Sequence, residues 1–438
     1  MPPVDDCLAV RGLGLRLPGV ADAAELARLV DGALLPPAPV RRFTAPEAGL
    51  APLEWRTHAP VAPRLPATVT GRGLRAVPPE SLLALAVAAE AGTAPPDAPP
   101  DPWQVTSLVD PVEAGRAAVL WASSTAGLAE YARICVEAAT LDPGLSSPII
   151  GPASAFNGPA ATVSIRLGLD GPNETTTGGT TAGLTALVEA ARLLADGAAT
   201  RALVGGSATV SRWSLAGLAD GFAAGEGAAC LAVSPCLADE PGIRLGRFRR
   251  TSLDRSDLAA HCRALVRAAR PAGSGWAAGP PAGAPPARHA PDHGAPGGGV
   301  PVEPGGGAAV EPGGGAPVEP NGGAPIGPVG GAAVGPVGTM VSTVDSELVE
   351  ALAGEAHRPV WHLERALGDF GAAGGLMAAA CAVAYCASAP APTSLLAVAI
   401  EPSGNAAILE VSSWPAPTSS SGWWGEHSRP VGASGPRT

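Results

Sequence analysis

The segment Gly171-Pro172-Asn173-Glu174-Thr175-Thr176-Thr177-Gly178-Gly179-Thr180-Thr181-Ala182-Gly183 gathers threonine hydroxyls and glycines directly ahead of a helical run, Ala182–Ala195. A threonine hydroxyl acts as a nucleophile only with a strong base beside it, and the sequence offers none here. Thr180 therefore reads first as a structural or cavity-lining hydroxyl and second as a nucleophile in an unusual site. Cysteine would suit that task better, because its pKa of about 8.5 is readily lowered at a helix N-terminus. The seven cysteines (Cys7, Cys135, Cys230, Cys236, Cys262, Cys381, Cys386) lie mostly among Ala and Leu and form no Cys-x-x-Cys pair. They are expected to be buried reduced thiols. Of the histidines, His58, His289, His293 and His427 sit in Pro/Gly-rich or tail sequence, while His261, His357 and His362 lie on or beside predicted helices. None has the spacing of a metal ligand pair, so no metal site is expected. Glu226 is expected to bond local backbone N–H groups, and Asp345 to sit at a helix N-terminus.

The elements that must position these groups alternate between strand and helix. An apolar run over Cys7–Leu15 reads as a first strand, followed by helical spacing over Ala21–Leu34. Gly73–Ala91 reads as an amphipathic helix, Ala117–Ser123 as a buried strand and Leu128–Ala138 as a helix. In the second half Ala228–Val233 and Gly242–Arg249 read as strands, Asp254–Ala269 and Asp345–Ala353 as helices, and Leu376–Ala387 as a buried helix. Leu395–Ile400 and Ala406–Val411 read as closing strands. This alternation predicts an α/β fold with a mostly parallel sheet.

At 438 residues and 46% hydrophobic content the chain can fill a substantial core, yet only 4% is aromatic, so that core must be Ala, Leu and Val. All 28 basic residues are arginine, which excludes Schiff-base lysine chemistry and a Walker A phosphate loop. No cofactor is implied. A formal charge of −11 argues against a nucleic-acid partner. The acids Asp5 and Asp6 stand where a signal peptide carries positive charge, and the apolar runs Leu82–Ala89 and Leu376–Ala387 are short of a membrane span. A cytoplasmic protein without a membrane partner is expected. From Gly297 an eight-residue period runs GGGVPVEP, GGGAAVEP, GGGAPVEP, NGGAPIGP, VGGAAVGP. Units so rich in Gly and Pro are expected to form a disordered linker.

Three fragments in order resemble the ketosynthase (β-ketoacyl synthase) family of fatty-acid and polyketide assembly. The family pattern Gly-Pro-Asn, four residues, then Thr-Ala-Cys-x-x-Gly places Thr180 on the nucleophilic cysteine and Gly183 on the glycine. Leu203-Val204-Gly205-Gly206 is similar to the family's strand ending in Gly-Gly, and Asp220–Ala229 to its Asp-Gly-Phe-x-x-Gly-Glu-Gly-Ala-Gly block. The resemblance implies a thiolase-like layered fold of two related α/β halves, interrupted by the Gly/Pro-rich insertion. The corresponding boundaries are 1–240 for the first half, 241–270 with 337–412 for the second, 271–336 for the repeat and 413–438 for a tail.

The same resemblance implies lost chemistry. The family's histidine loop is matched by Val337–Asp345, with Val337 at the histidine position. Its Lys-x-x-x-Gly-His motif is similar to Glu364–Asp369, with Glu364 for the lysine and Asp369 for the second histidine. Both changes bring negative charge to a place that would hold a carboxylate or an oxyanion. Near the C-terminus Gly404-Asn405-Ala406 resembles the end of a loop whose gating phenylalanine is missing, with Glu401 near that position. The implied protein is a non-catalytic ketosynthase-like subunit, similar in kind to the chain-length factor of type II polyketide synthases. Its implied partners are an active ketosynthase, in a heterodimer, and acyl carrier protein. The alternative is a β-ketoacyl synthase or acyltransferase with an atypical Thr180 site.

Overall fold

The computed structural model describes residues 7–20, 23–30, 40–43, 53–58, 61–65, 73–92, 116–140, 148, 150–217, 222–236, 242–268, 338–355, 359–389 and 392–414. The repeat at 271–336, Val337 and the tail from 415 lie outside them. In chain order the strands are β1 (Leu8–Arg16), β2 (Val40–Phe43), β3 (Leu53–Arg56), β4 (Ala117–Ala122), β5 (Asn173–Thr176), β6 (Arg201–Ala208), β7 (Gly227–Pro235), β8 (Gly242–Ser252), β9 (Gly338–Ser342), β10 (Val360–His362), β11 (Ser394–Ile400) and β12 (Asn405–Trp414). The helices used below are α1 (Ala23–Val30), α2 (Pro79–Ala91), α3 (Leu128–Thr140), α4 (Gly158–Leu167), α5 (Ala182–Ala195), α6 (Leu258–Ala268), α7 (Ser346–Glu355), α8 (Leu363–Leu367) and α9 (Gly374–Ser388).

Ten strands form one mixed sheet in the order β10-β9-β11-β12-β8-β1-β7-β6-β4-β5. That order is a single five-strand pattern used twice. In the first half β5, β4 and β6 are parallel, and β7 and β1 follow antiparallel. In the second half β10, β9 and β11 are parallel, and β12 and β8 follow antiparallel. The halves meet where Leu8, Ala9 and Val10 of β1 pair with Leu245, Arg244 and Ile243 of β8. Hydrophobic periodicity does not reveal this duplication; strand order does.

Strands β4, β6 and β11 are buried along their whole length, which is why they read as apolar runs without alternation. The covering layers include α5 and α9, which pack on each other and touch strands of both halves. Helix α9 is apolar all round, as a helix enclosed on every side must be. The stretch Gly371–Ser388 is long and apolar enough to cross a membrane by composition, but it is 83% buried inside the protein and is a core helix. Glycines let the two helices approach: a Cβ at Gly183 would overlap the Leu376 backbone, and one at Gly375 would lie 2.6 Å from the Thr180 carbonyl.

Three expectations change here. The sheet foreseen as mostly parallel is mixed, with five of its nine strand pairings antiparallel, because each half adds two antiparallel pairings to its parallel strands and the halves meet in a fifth. The helix foreseen over Gly73–Ala91 begins only at Pro79, after Gly73 takes a left-handed φ of 85° and Leu74–Ala76 form a 3-10 turn. It is also buried on nearly all sides, because α4 covers the face that an amphipathic helix would give to water. The cysteines are not uniformly reduced and buried either. Cys7 and Cys236, at the adjoining ends of β1 and β7, form a disulfide, and Cys135 is exposed. Cys230, Cys262, Cys381 and Cys386 are buried and free.

Candidate functional site

The duplicated topology brings the starts of α5 and α9 together, and Thr180 lies between them. Its carbonyl accepts the Gly375 N–H at 2.9 Å. Its side chain is only 8% exposed, and its hydroxyl lies 2.5 Å from the Ser342 hydroxyl at the end of β9. Ser342, fully buried, donates to Glu364 Oε1 at 2.6 Å. The other Glu364 oxygen accepts the Thr343 N–H at 3.0 Å and faces His362 Nε2 at 3.4 Å. That imidazole nitrogen also meets the Thr343 carbonyl at 2.8 Å. A chain of polar contacts thus runs from a first-half hydroxyl to a second-half carboxyl. It leaves no space over Gly374, where a Cβ would overlap both Thr180 Oγ1 and Ser342 Oγ.

Burial pushes the Glu364 carboxyl above the usual carboxylate range, and nearby Asp369 adds to the rise while His362 and Ser342 oppose it. Burial alone would lower His362, but its contacts with Glu364 and the Thr343 carbonyl outweigh this and raise it. The two titrations are coupled, since each member's charged form favours that of the other.

Glu401, in the β11–β12 turn, occupies the start of α5. Its Oε1 accepts the Thr181 N–H at 3.2 Å and the Thr181 hydroxyl at 2.5 Å. Its Oε2 accepts Ser403 Oγ at 2.9 Å and Asn405 Nδ2 at 3.0 Å. Burial acts to raise this carboxyl, but the bonds from Thr181, Asn405 and Ser403 prevail and hold it below its ordinary value. Gly179 admits the carboxylate, since a Cβ there would lie 2.5 Å from Glu401 Cδ. A helix N-terminus favours negative charge. Here the protein's own carboxylate already fills that position.

Asp369 is placed by a different set of bonds. Its N–H donates to the Ala223 carbonyl at 2.8 Å, its carbonyl accepts the Gly225 N–H at 2.8 Å, and Oδ1 accepts the Gly371 N–H at 2.7 Å, just ahead of α9. Glu226 accepts the N–H groups of Val61 at 3.1 Å and Val210 at 3.2 Å. Asp345 Oδ1 accepts the Glu347 and Leu348 N–H groups at the start of α7. The buried thiols offer no substitute nucleophile, because burial pushes Cys381 and Cys386 up to about 12 and Cys262 to about 11.

Residues 6–219 match the family model of the beta-ketoacyl synthase N-terminal domain. The first half of the chain carries this match to a β-ketoacyl synthase domain. No curated protein sequence matches the chain. Among solved structures it is similar to the ishigamide ketosynthase/chain length factor, with 19% identity, a TM-score of 0.60 and coverage of 92% of this chain and 98% of that one. It is also similar to a type II PKS acyl carrier protein in complex with its ketosynthase bound to the hexaketide, at 13% identity and a TM-score of 0.56, covering 93% and 99%. A ketosynthase of the bacillaene polyketide synthase from Bacillus amyloliquefaciens follows at 14% identity and a TM-score of 0.51, covering 94% and 76%. These likenesses extend the ketosynthase fold through the second half.

In this ketosynthase fold Thr180 and Glu364 are joined through Ser342, a residue that the motif match did not single out. The position matched to the histidine, Val337, lies outside the described residues, and Ser342, at the far end of β9, is the group that meets Thr180. Asp369 is near enough to Glu364 to raise its pKa, yet its bonds run to the 223–225 segment and to Gly371. Glu401 was visible in sequence as a misplaced acid, but not as a helix cap.

Proposed function

We propose that the chain is a non-catalytic ketosynthase-like subunit of a type II polyketide or fatty-acid synthase, pairing with an active ketosynthase to shape elongation of an acyl chain held on acyl carrier protein. The observation that carries this reading is the Glu401 carboxylate on the Thr181 N–H and hydroxyl. Condensation needs a nucleophile activated at the start of α5 and donors free to receive developing negative charge. The start of α5 presents a hydroxyl and is already bonded to an anion, and inward from it the Ser342 hydroxyl leads to a second carboxyl, Glu364.

Pairing is supported by surface features beside that site. β5 lies at the end of the sheet, bonded on one side to β4. Beside it, Ile165 of α4 is 77% exposed, and Phe156 and Tyr131 are also exposed large hydrophobics on the neighbouring segments. Co-expression with an active type II ketosynthase and size-exclusion chromatography tests the pairing; a stable 1:1 complex is expected, and a chain that elutes alone with every such partner defeats the proposal.

The chain Thr180–Ser342–Glu364 favours one second reading, in which the Thr180 oxygen attacks a carrier-bound acyl thioester, its proton passes through Ser342 to Glu364, and the C–S bond breaks so that the carrier thiol leaves with a proton returned from that chain. Incubation with acyl carrier protein carrying a labelled acyl group separates the two. The silent subunit forms no adduct, whereas the second reading requires one that Thr180→Ala abolishes.

A further inference from the structure

Among the described residues, the cross-link Cys7–Cys236 lies at the joint between the two halves of the sheet. The two cysteines are bonded across the ends of β1 and β7 with their Cα atoms 5.6 Å apart, and the Cys236 N–H donates to the Cys7 carbonyl at 3.3 Å. The next residue along, Leu8, pairs with Pro235 of β7 on one side and with Leu245 of β8 on the other. Between the halves the ladder is only three pairs long: Leu8 with Leu245, Ala9 with Arg244, and Val10 with Ile243. The disulfide therefore closes one end of the ladder through which the halves share a sheet.

Three observations speak for a bond that is made and broken rather than a permanent staple. The fold does not need a staple: disulfides rescue small domains short of core, whereas here Leu8, Val10, Leu231, Val233, Ile243 and Leu245 are buried in one cluster beside the bond. Both cysteines are only half-buried, and exposed disulfides are the ones that exchange. Cys135 is exposed and free, while Cys230, Cys262, Cys381 and Cys386 are buried and free. An exposed thiol persists where the surroundings keep thiols reduced, and disulfides found in such surroundings are mostly transient or redox-sensing.

We propose that Cys7 and Cys236 form a thiol–disulfide exchange site for a small thiol of the glutathione class, and that their oxidation state sets how firmly β1 is held to β8. In the reducing direction one glutathione thiolate attacks a sulfur of the pair, the Cys7–Cys236 bond breaks and a mixed disulfide forms. A second glutathione thiolate attacks the mixed disulfide, and glutathione disulfide leaves. Each glutathione thiol gives its proton to water, and each released cysteine takes one back. The two glutathiones supply the two electrons that the pair gains, and the reverse sequence oxidises it. With the bond open, the backbone bond from Cys236 to Cys7 is what remains beyond Leu8, so opening of the ladder starts there. The exchange needs nothing from the proposed acyl-chain role.

The test uses the full chain carrying Cys135→Ser, which removes the exposed thiol without touching the pair. It is equilibrated in glutathione buffers, quenched in acid, alkylated and mapped by mass. The pair is expected to be mostly closed with about 1 mM of each glutathione form and mostly open with about 10 mM reduced glutathione and about 0.1 mM disulfide, a reducing poise of the kind kept inside cells. A pair still closed in the second buffer is a permanent staple and overturns the proposal, as does a pair that never closes in the first. Deuterium exchange then compares the closed and open forms. Segments Leu8–Val10 and Ile243–Leu245 should exchange about tenfold faster in the open form, with β4 unchanged. Cys7→Ser should show the open form's exchange in both buffers. Because the unsubstituted pair is opened in the folded protein, the comparison survives a variant that fails to fold. Equal exchange in the closed and open forms overturns the control of the joint.

Discussion

The two central helices start side by side, and the opposite half meets each start differently; the carboxylate nearest α9, Asp369 on the Gly371 N–H, comes from its own half. Helix α9 is met by neutral groups of the first half: the Thr180 carbonyl accepts the Gly375 N–H, and Ser124 Oγ accepts the Ala372 N–H at 3.3 Å just ahead of it. Helix α5 is met by a charged group of the second half, the Glu401 carboxylate. Each half thus completes the central helix of the other, so the candidate site is a seam between halves. Of the two N-termini the duplicated fold brings together, the one that carries Thr180 is closed by an internal anion.

The most damaging change to this seam should be Glu364→Ala. It leaves Ser342, the Thr343 N–H and His362 without their shared acceptor inside the protein, and a loss of about 3 kcal/mol is expected in urea unfolding. A loss under about 0.5 kcal/mol would mean that the polar chain contributes little. Next comes Gly374→Ala, which forces a methyl onto Thr180 Oγ1 and Ser342 Oγ at the start of α9; about 2 kcal/mol is expected. Glu401→Ala should cost about 1 kcal/mol, the value of a helix cap with its charge–dipole attraction, because the carboxylate is partly open to water.

The pH dependence separates the caps more sharply than the magnitudes do. Glu364 and His362 are both raised in the folded state, so the stability they give is present in acid and declines as pH rises through their folded pKa values. Glu80, in the first half, has the same sign: burial raises it against four hydroxyls, from Ser123, Thr125, Ser207 and Thr209. Glu401 is lowered, so its contribution is present above the ordinary glutamate pKa of about 4.3 and is lost as pH falls through its folded value. Glu364→Gln should therefore flatten the decline in stability as pH rises. In the same variant the His362 pKa, followed by NMR, should fall. Glu401→Gln should instead lessen the loss in acid. Identical pH profiles for the two variants would erase the distinction between the seam's interior and its rim.

Much of this architecture is legible in the sequence because it is local. β4 and β11 are apolar runs, α5 follows a Gly-Thr turn, and Leu203–Gly206 and Phe222–Ala229 occur in order. Other features escape because their cause is distant. Asn173–Thr176 is polar throughout and becomes a strand only because β4 offers a parallel edge. β10 is three residues long and is held by β9. Ser342 meets Thr180 across 162 positions, and Glu401 meets Thr181 across 220. No periodicity records such contacts. Cys7 and Cys236 illustrate the same limit, since only the antiparallel pairing of β1 with β7 makes them neighbours.

The smallest expected effect is the most informative about catalysis. Thr180→Cys restores the sulfur but not its surroundings. The new thiol would face Ser342, which has no basic nitrogen, and would lie beside a helix start whose favourable field is already spent on Glu401. Two carboxyl groups, Glu401 and Glu364, would oppose a thiolate, and an anion disfavoured in this way keeps a high pKa. The variant should fold like the wild type and alkylate slowly with iodoacetamide at neutral pH. It should show no condensation of acyl and malonyl groups on acyl carrier protein. If that single change produced condensation, the closure of α5 by Glu401 would not be what silences the site. If Thr180→Cys stayed inert while Thr180→Cys with Glu401→Gln alkylated readily, the blocked helix start would be identified as the barrier to thiolate formation.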